Sequence, residues 1–339
     1  MGRVIAVANA KGGIGKTTTV VNIGAGLALK GARVLLVDVD AQGNLAMALG
    51  VRPRRTLYEV LVDGAKAADC VFAARPNLDL IAADEGLLSA QTVIAQRPDW
   101  SRALEHGLRP LFGSYDFILI DSGGSVTTLN TNALACASEV IVPTAIEHFS
   151  LKSIDLLFKQ VSRVKGNSSS IRMIIPTMYD PRVRQSGELL AGLKARYGPL
   201  VAMPIRVNVR LSEAPTLGQT IYEYDPRSRG AVDYALLVEH ISTMFGFRSH
   251  ARGAAVAPSA SPVAPALPTA PIPPPLQSQP PAPAQEYSAP AATNGAFGAP
   301  PGCPYCGRPL QHATLAGYRV AYCDNCKYKS QTLAQGPRR

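Results

Sequence analysis

The sequence predicts an α/β body, a doubly wound and mostly parallel sheet with helices on both faces, followed by a tether and a small cysteine-rich unit. Three observations predict it. Short apolar runs alternate with longer stretches of helical period through residues 1–248, the pattern of strands buried on both faces by crossover helices. A glycine-rich, lysine-bearing segment stands between the first apolar run and the first helical stretch, where the fold builds phosphate sites. Composition then changes at 249 and again at 302.

Strands are read at 4–8, 34–39, 78–82, 117–121, 140–143 and 172–177. Helical period marks 17–30, 151–164 and 231–245, the last carrying Leu236, Leu237, Ile241 and Met244 toward the core. From 251 to 300 the chain is proline and alanine at 28 of 50 positions, with Arg252 and Glu286 its charged side chains. Such a stretch cannot bury enough surface to offset its ordering entropy, so 249–301 is expected to be a disordered, semi-extended tether.

The chain of 339 residues carries a formal net charge of +10, and six of its basic residues against one acid fall after residue 300. A basic tail suits a polyanionic partner, nucleic acid being the commonest, and equally suits plain solubility. No apolar run reaches the ~18 residues of a membrane span, so stable membrane insertion is not expected. The first residues read as a buried strand rather than a signal peptide, and Ala6 stands where a myristoylation signal needs Ser or Thr. The expected compartment is the cytoplasm, where clustered cysteines are better read as a metal site than as disulfides.

After the first strand comes Ala10-Lys11-Gly12-Gly13-Ile14-Gly15-Lys16-Thr17-Thr18. This is the phosphate-loop pattern with Ala10 in place of its first glycine. Glycines let backbone N–H groups turn toward phosphate oxygens, with a helix N-terminus behind them. Lys16 is expected to reach the β- and γ-phosphates of a bound nucleotide and the Thr17 hydroxyl to sit on Mg²⁺. Carboxylates end the second and fourth strands read above: Asp38 and Asp40 after 34–37, and Asp121 after Phe117-Ile-Leu-Ile. Beside a phosphate loop such groups position water or metal.

The residues KGGIGKTT resemble the deviant Walker A motif of the ParA/MinD ATPases. Asp38-Val-Asp-Ala-Gln-Gly-Asn44 is similar to that family's DxDPQGN segment. Thr177-Met-Tyr-Asp-Pro-Arg182, Asn208-Val-Arg-Leu-Ser-Glu-Ala-Pro215 and Tyr224-Asp-Pro-Arg-Ser-Arg-Gly230 resemble chromosomal, Soj-type members. The resemblance spans nearly all of 1–248. It implies a weak, partner-stimulated ATPase that forms an ATP-dependent sandwich homodimer, binds nucleoid DNA without sequence preference and positions DNA or another large cargo through a ParB-like adaptor. By the same resemblance Lys11 reaches the partner's phosphates, Asp40 orients the attacking water, Asp38 supports the metal region, Asp121 holds Mg²⁺, and Arg182 and Arg210 contact DNA. One segment departs from the family: Ser122-Gly-Gly-Ser125 follows Asp121 where a Cys/Thr-Pro-Pro-Ser stretch is usual, which removes a rigid constraint where the γ-phosphate is sensed.

Cys303-Pro-Tyr-Cys306 and Cys323-Asp-Asn-Cys326 are CxxC pairs 16 residues apart, the spacing of a four-thiolate zinc ribbon over 302–330, with a basic tail at 331–339. A unit this small is expected to depend on Zn²⁺ to fold. Its Arg308, Arg319, Lys327 and Lys329 interleave with Tyr305, Tyr318, Tyr322 and Tyr328. Nucleic-acid stacking, a small tyrosine core or docking to a protein are all open. Two further function classes stand beside the leading one: an Mrp-like iron–sulfur scaffold, suggested by a phosphate loop with CxxC thiols, and a MinD-like membrane-cycling ATPase, which lacks support from a terminal amphipathic helix.

Overall fold

The computed structural model describes residues 2–147 and 150–248 and, in the C-terminal unit, residues 303, 306–315, 318–323, 325 and 329–333. The chain divides into two compact units, 1–258 and 259–339, each described by itself. The expected tether over 249–301 and the last residues of the basic tail, 334–339, lie outside the described residues.

Seven strands form the sheet of the first unit: β1 (Arg3–Val7), β2 (Val34–Asp38), β3 (Phe72–Arg75), β4 (Leu78–Ile81), β5 (Phe117–Asp121), β6 (Glu139–Ala145) and β7 (Ile171–Thr177). Their order is β3-β4-β2-β5-β1-β6-β7, and every pairing is parallel except β3 with β4. The helices are α1 (Lys16–Leu29), α2 (Asn44–Ala48), α3 (Leu57–Leu61), α4 (Gly86–Ala95), α5 (Ala103–Leu108), α6 (Thr128–Cys136), α7 (Ser150–Lys165), α8 (Arg184–Tyr197), α9 (Arg210–Glu213), α10 (Ile221–Tyr224) and α11 (Arg229–Met244).

The six apolar runs of the sequence became β1, β2, β4, β5, β6 and β7. Side chains alternate across a strand, so a strand covered on both faces must be apolar throughout. In β5, Phe117 and Leu119 join one core with Val20, Ile23 and Leu27 of α1 and Leu237 and Ile241 of α11. Ile118 and Ile120 join the other, with Leu129 and Leu134 of α6 and Ile154, Leu157 and Val161 of α7. Each such fully buried side chain contributes about 1.5–3 kcal/mol. The added strand β3 is a half-exposed antiparallel edge, so its sequence carries no apolar run. On α11, Leu237 and Ile241 are buried as expected and Met244 packs against the same core, but Leu236 lies on the solvent side, 48% exposed.

The register sets Val7, Asp121 and Asp38 side by side at the carboxyl ends of three adjacent strands. The crevice outside the carboxyl ends of the strands is where an open α/β sheet binds ligands.

The second unit contains an antiparallel sheet of β8 (Gln311–Leu315), β9 (Tyr318–Tyr322) and β10 (Lys329–Leu333), with β9 central. Among the described residues, no helix is long and apolar enough to cross a membrane.

Candidate functional site

The phosphate loop leaves β1 and turns into α1 through Gly13 and Gly15, whose φ angles are 71° and 85°. Side chains rarely adopt that left-handed region, which accounts for glycine there. A Cβ at Gly12, Gly13 or Gly15 would meet nothing within 4 Å, so the cradle is open on the side where phosphate oxygens fit. Gly15 is the N-cap of α1 and supplies no side-chain cap, leaving the first amides of the helix for an anion. The loop is pinned from behind: Ile14 is buried, and the Thr177 hydroxyl at the end of β7 donates to the Ile14 carbonyl at 2.9 Å.

Lys16 is 7% exposed, and its Nζ donates to the Lys11 carbonyl at 2.7 Å. Burial lowers its pKa, against the opposing charges of Asp121 and Asp40. The Thr17 hydroxyl donates to Asp121 Oδ2 at 2.6 Å, while Asp121 Oδ1 is buried without a hydrogen-bond partner. Burial, then the neighbouring Asp38, raises the Asp121 pKa. A half-buried hydroxyl on a buried carboxylate with an orphaned oxygen, beside an open phosphate cradle, fits a hard divalent cation that takes oxygen ligands. Thr18 lies on the same turn and its carbonyl accepts from Asn22.

Asp38 has both oxygens engaged by backbone, Oδ1 with the Asp40 amide and Oδ2 with the Leu45 amide, each at 3.0 Å. It therefore shapes the loop that carries Asp40 and the start of α2. Its carboxyl is pushed up to about 7, chiefly by burial. Asp40 Oδ1 accepts from the Gln42 amide at 3.1 Å, and its Oδ2 faces Gly123.

Lys11, 33% exposed at its side chain, is ion-paired with Glu147 of its own chain at 2.5 Å. Asn9, beneath the loop, donates to the Pro143 carbonyl at 2.8 Å and the Thr144 hydroxyl at 3.2 Å. Beside Gly15 and Thr18 a cavity of about 300 Å³ opens, lined also by Met178, Val207 and Asn208. Met178 has φ 54°, strain of a kind that collects at ligand sites.

Arg182 is 84% exposed at its side chain and forked onto Asp180, at 2.9 Å from Nε and 2.7 Å from a terminal nitrogen. The pair holds the Asp180 carboxyl down at about 2. Arg210 pairs with Glu213 at 2.9 Å and lies 3.7 Å from Asp225. Arg227 and Arg229, also exposed, make no ion pair among the described residues.

In the second unit, the Sγ atoms of Cys303, Cys306 and Cys323 lie within 4.8 Å of one another, Cys306 and Cys323 at 3.5 Å. The Gly307 amide donates to the Cys303 carbonyl at 2.9 Å. Cys326 lies outside the described residues.

Sequence reasoning missed Thr177, Glu147 and Asn130. The first two come to the phosphate loop from chain positions more than 130 residues away. Asn130 binds the Ser122–Ser125 segment through its side chain, and only the glycine pair there hinted that something must hold the loop.

A family model described as an AAA domain matches residues 2–173. The chain is 37% identical over 249 residues to the chromosome partitioning protein ParA of Caulobacter vibrioides, covering 70% of this chain and 93% of that one. It is 38% identical over 250 residues to the sporulation initiation inhibitor protein Soj of Bacillus subtilis, covering 71% and 99%. Among solved structures it is similar to a cobyrinic acid a,c-diamide synthase of Mycobacterium smegmatis with bound ATP analogue and magnesium (TM-score 0.63, 30% identity, 74% and 98% covered). It is also similar to the septum site-determining protein MinD of Pyrococcus horikoshii complexed with Mg-ADP (TM-score 0.62, 26% identity, 73% and 98% covered).

Proposed function

The chain belongs to the ParA/MinD family of P-loop ATPases, with ParA and Soj among its relatives, and from that premise we propose that it is a Mg²⁺-dependent ATPase whose ATP-bound form is a sandwich dimer that holds DNA and positions a cargo. The observation that carries this reading is the Thr17–Asp121 contact, with its orphaned carboxylate oxygen, at the foot of an open phosphate loop.

In this reading the amides of 12–17 and the Lys16 ammonium take the phosphates of ATP, and the base enters the cavity beside Met178. Thr17 and Asp121 hold magnesium, which when bound neutralises charge on the β- and γ-phosphates. Asp40 orients water for attack, and Asp38 keeps the Asp40 loop in place through its two amide contacts. Lys11 leaves Glu147 for the partner's phosphates. Arg182 and Arg210, with the exposed Arg227 and Arg229, offer cations to DNA phosphates. A ParB-like or other adaptor stimulates turnover and supplies the cargo.

The second unit is read as a zinc ribbon. On a tetrahedral ion with Zn–S of about 2.3 Å the sulfurs are about 3.8 Å apart, and the 3.5 Å between Cys306 and Cys323 is close to that. Cys326 completes the proposed set, and 249–301 tethers the ribbon to the ATPase.

The test is a pair of variants. Lys16→Ala should abolish ATP binding, and Asp40→Ala should bind ATP yet accumulate as a dimer on a sizing column with phosphate release reduced at least tenfold. Parental phosphate release from Asp40→Ala would remove Asp40 from its role, and nucleotide binding unaffected by Lys16→Ala would overturn the reading of the loop.

A further inference from the structure

We propose that Asn130 is a positioning residue for ATP hydrolysis, its buried carboxamide fixing the glycine loop that lies between Asp40 and the phosphate loop. The inference rests on the ATPase reading above. Asn130 is 6% exposed, in the first turn of α6. Its Oδ1 accepts from the Gly123 amide at 3.0 Å, and its Nδ2 donates to the Gly123 carbonyl at 3.2 Å and to the Ser125 carbonyl. One side chain thus closes three hydrogen bonds on a four-residue segment. The Asn130 amide is itself held by the Thr127 hydroxyl at 3.1 Å, which caps α6, and the segment's other end is tied by the Ser122 hydroxyl to the Val7 carbonyl at 3.0 Å.

What the clasp holds is the wall of the site. A Cβ on Gly124 would come within 2.8 Å of the Gly12 nitrogen and Cα, so this backbone lies directly on the phosphate loop. A Cβ on Gly123 would come within 3.3 Å of Asp40 Oδ2. Glycine permits that approach, but two adjacent glycines also lose more conformational freedom on ordering than any other pair. A loop so free cannot keep Asp40 and the phosphate loop in fixed relation by itself, and misplacing reacting groups by about 1 Å costs on the order of 100-fold in rate. Asn130 supplies the constraint that the loop's own sequence lacks. Asn132, two residues on and also buried, bonds instead to the Leu104 amide and the Trp100 and Thr128 carbonyls, away from the phosphate loop. It is a built-in structural control.

The test is steady-state ATP hydrolysis by the full chain. Asn130→Ala should lower kcat at least tenfold and leave KM for ATP within about twofold, because Lys16 and Thr17 are untouched. Hydrogen exchange of amides 122–126 should quicken in the same variant. Asn132→Ala should lower the melting temperature without that loss of kcat. If Asn130→Ala does not fold, Asn130→Asp carries the test: it is isosteric, keeps the acceptor for the Gly123 amide, loses both donors, and should also lower kcat. A folded Asn130 variant with parental kcat, or one whose loop exchange is unchanged, overturns the proposal and leaves the ATPase reading standing. A parent protein that neither binds nor hydrolyses ATP overturns that reading, and the role of Asn130 with it.

Discussion

Lys11 and Glu147 are joined across the mouth of the phosphate loop by a 2.5 Å ion pair between residues 136 apart in the chain. The lysine proposed to act on a partner's nucleotide is thereby held by a carboxylate of its own chain. Releasing it requires breaking a pair that is one-third to one-half exposed, a modest cost in water. Glu147→Gln should therefore lower the ATP concentration needed for half-maximal dimerisation, by about two- to fivefold in light scattering. An unchanged or raised concentration would show that Glu147 does not restrain Lys11.

Asp38 gives the nucleotide-free protein a pH signature. Its carboxyl moves from the ordinary 3.8 to about 7 on folding, chiefly through burial. The folded state thus keeps a proton that the unfolded chain releases, so this group's contribution is full below about pH 4, declines as pH rises to about 7, and is flat above. The melting temperature of parent minus that of Asp38→Asn should fall between pH 5 and 7.5. A difference independent of pH would mean the carboxyl ionises normally in the fold.

Arg182 and Arg210 are committed to local carboxylates, so DNA phosphates must compete for them. Arg182→Glu with Arg210→Glu should weaken duplex binding at least tenfold at moderate salt while ATP binding persists, and the parent's affinity should fall steeply with salt. The tail should be removed in both proteins, since its own charges could mask the loss. Equal affinities would shift attention to Arg227 and Arg229.

The cysteines should separate by chemistry. Cys136 is pushed up to about 12 by burial, and the Cys70 thiol is also raised, so both should resist alkylation at pH 8 in the folded protein. Cys303, Cys306, Cys323 and Cys326 should be protected by one bound zinc and become reactive when a zinc-selective chelator removes it, with ATPase activity in excess Mg²⁺ unchanged. Iron and visible colour in place of zinc would favour an iron–sulfur carrier.

Much of this was legible in the chain. The phosphate loop is a local object: spacing places Gly13, Gly15, Lys16 and Thr17 between strand and helix whatever surrounds them. The strands show because burial on both faces demands unbroken apolar runs, and the two CxxC pairs because their spacing is a local pattern. Spacing left Asp38 ambiguous, since a carboxylate at a strand end is equally a metal group or a loop anchor. Its two amide contacts, one of them to Leu45 seven residues on, were decided by the path of the loop. The edge strand β3 was invisible because a half-exposed edge needs no apolar run. Lys11 with Glu147, Thr177 behind Ile14, and Gly124 against Gly12 were decided by the order of strands in the sheet. Sequence by itself determined where a phosphate loop could form, because its residues are adjacent in the chain. Only the tertiary structure decided which groups restrain and position it, because parallel crossovers bring distant residues to the carboxyl ends of neighbouring strands and no local pattern records that meeting.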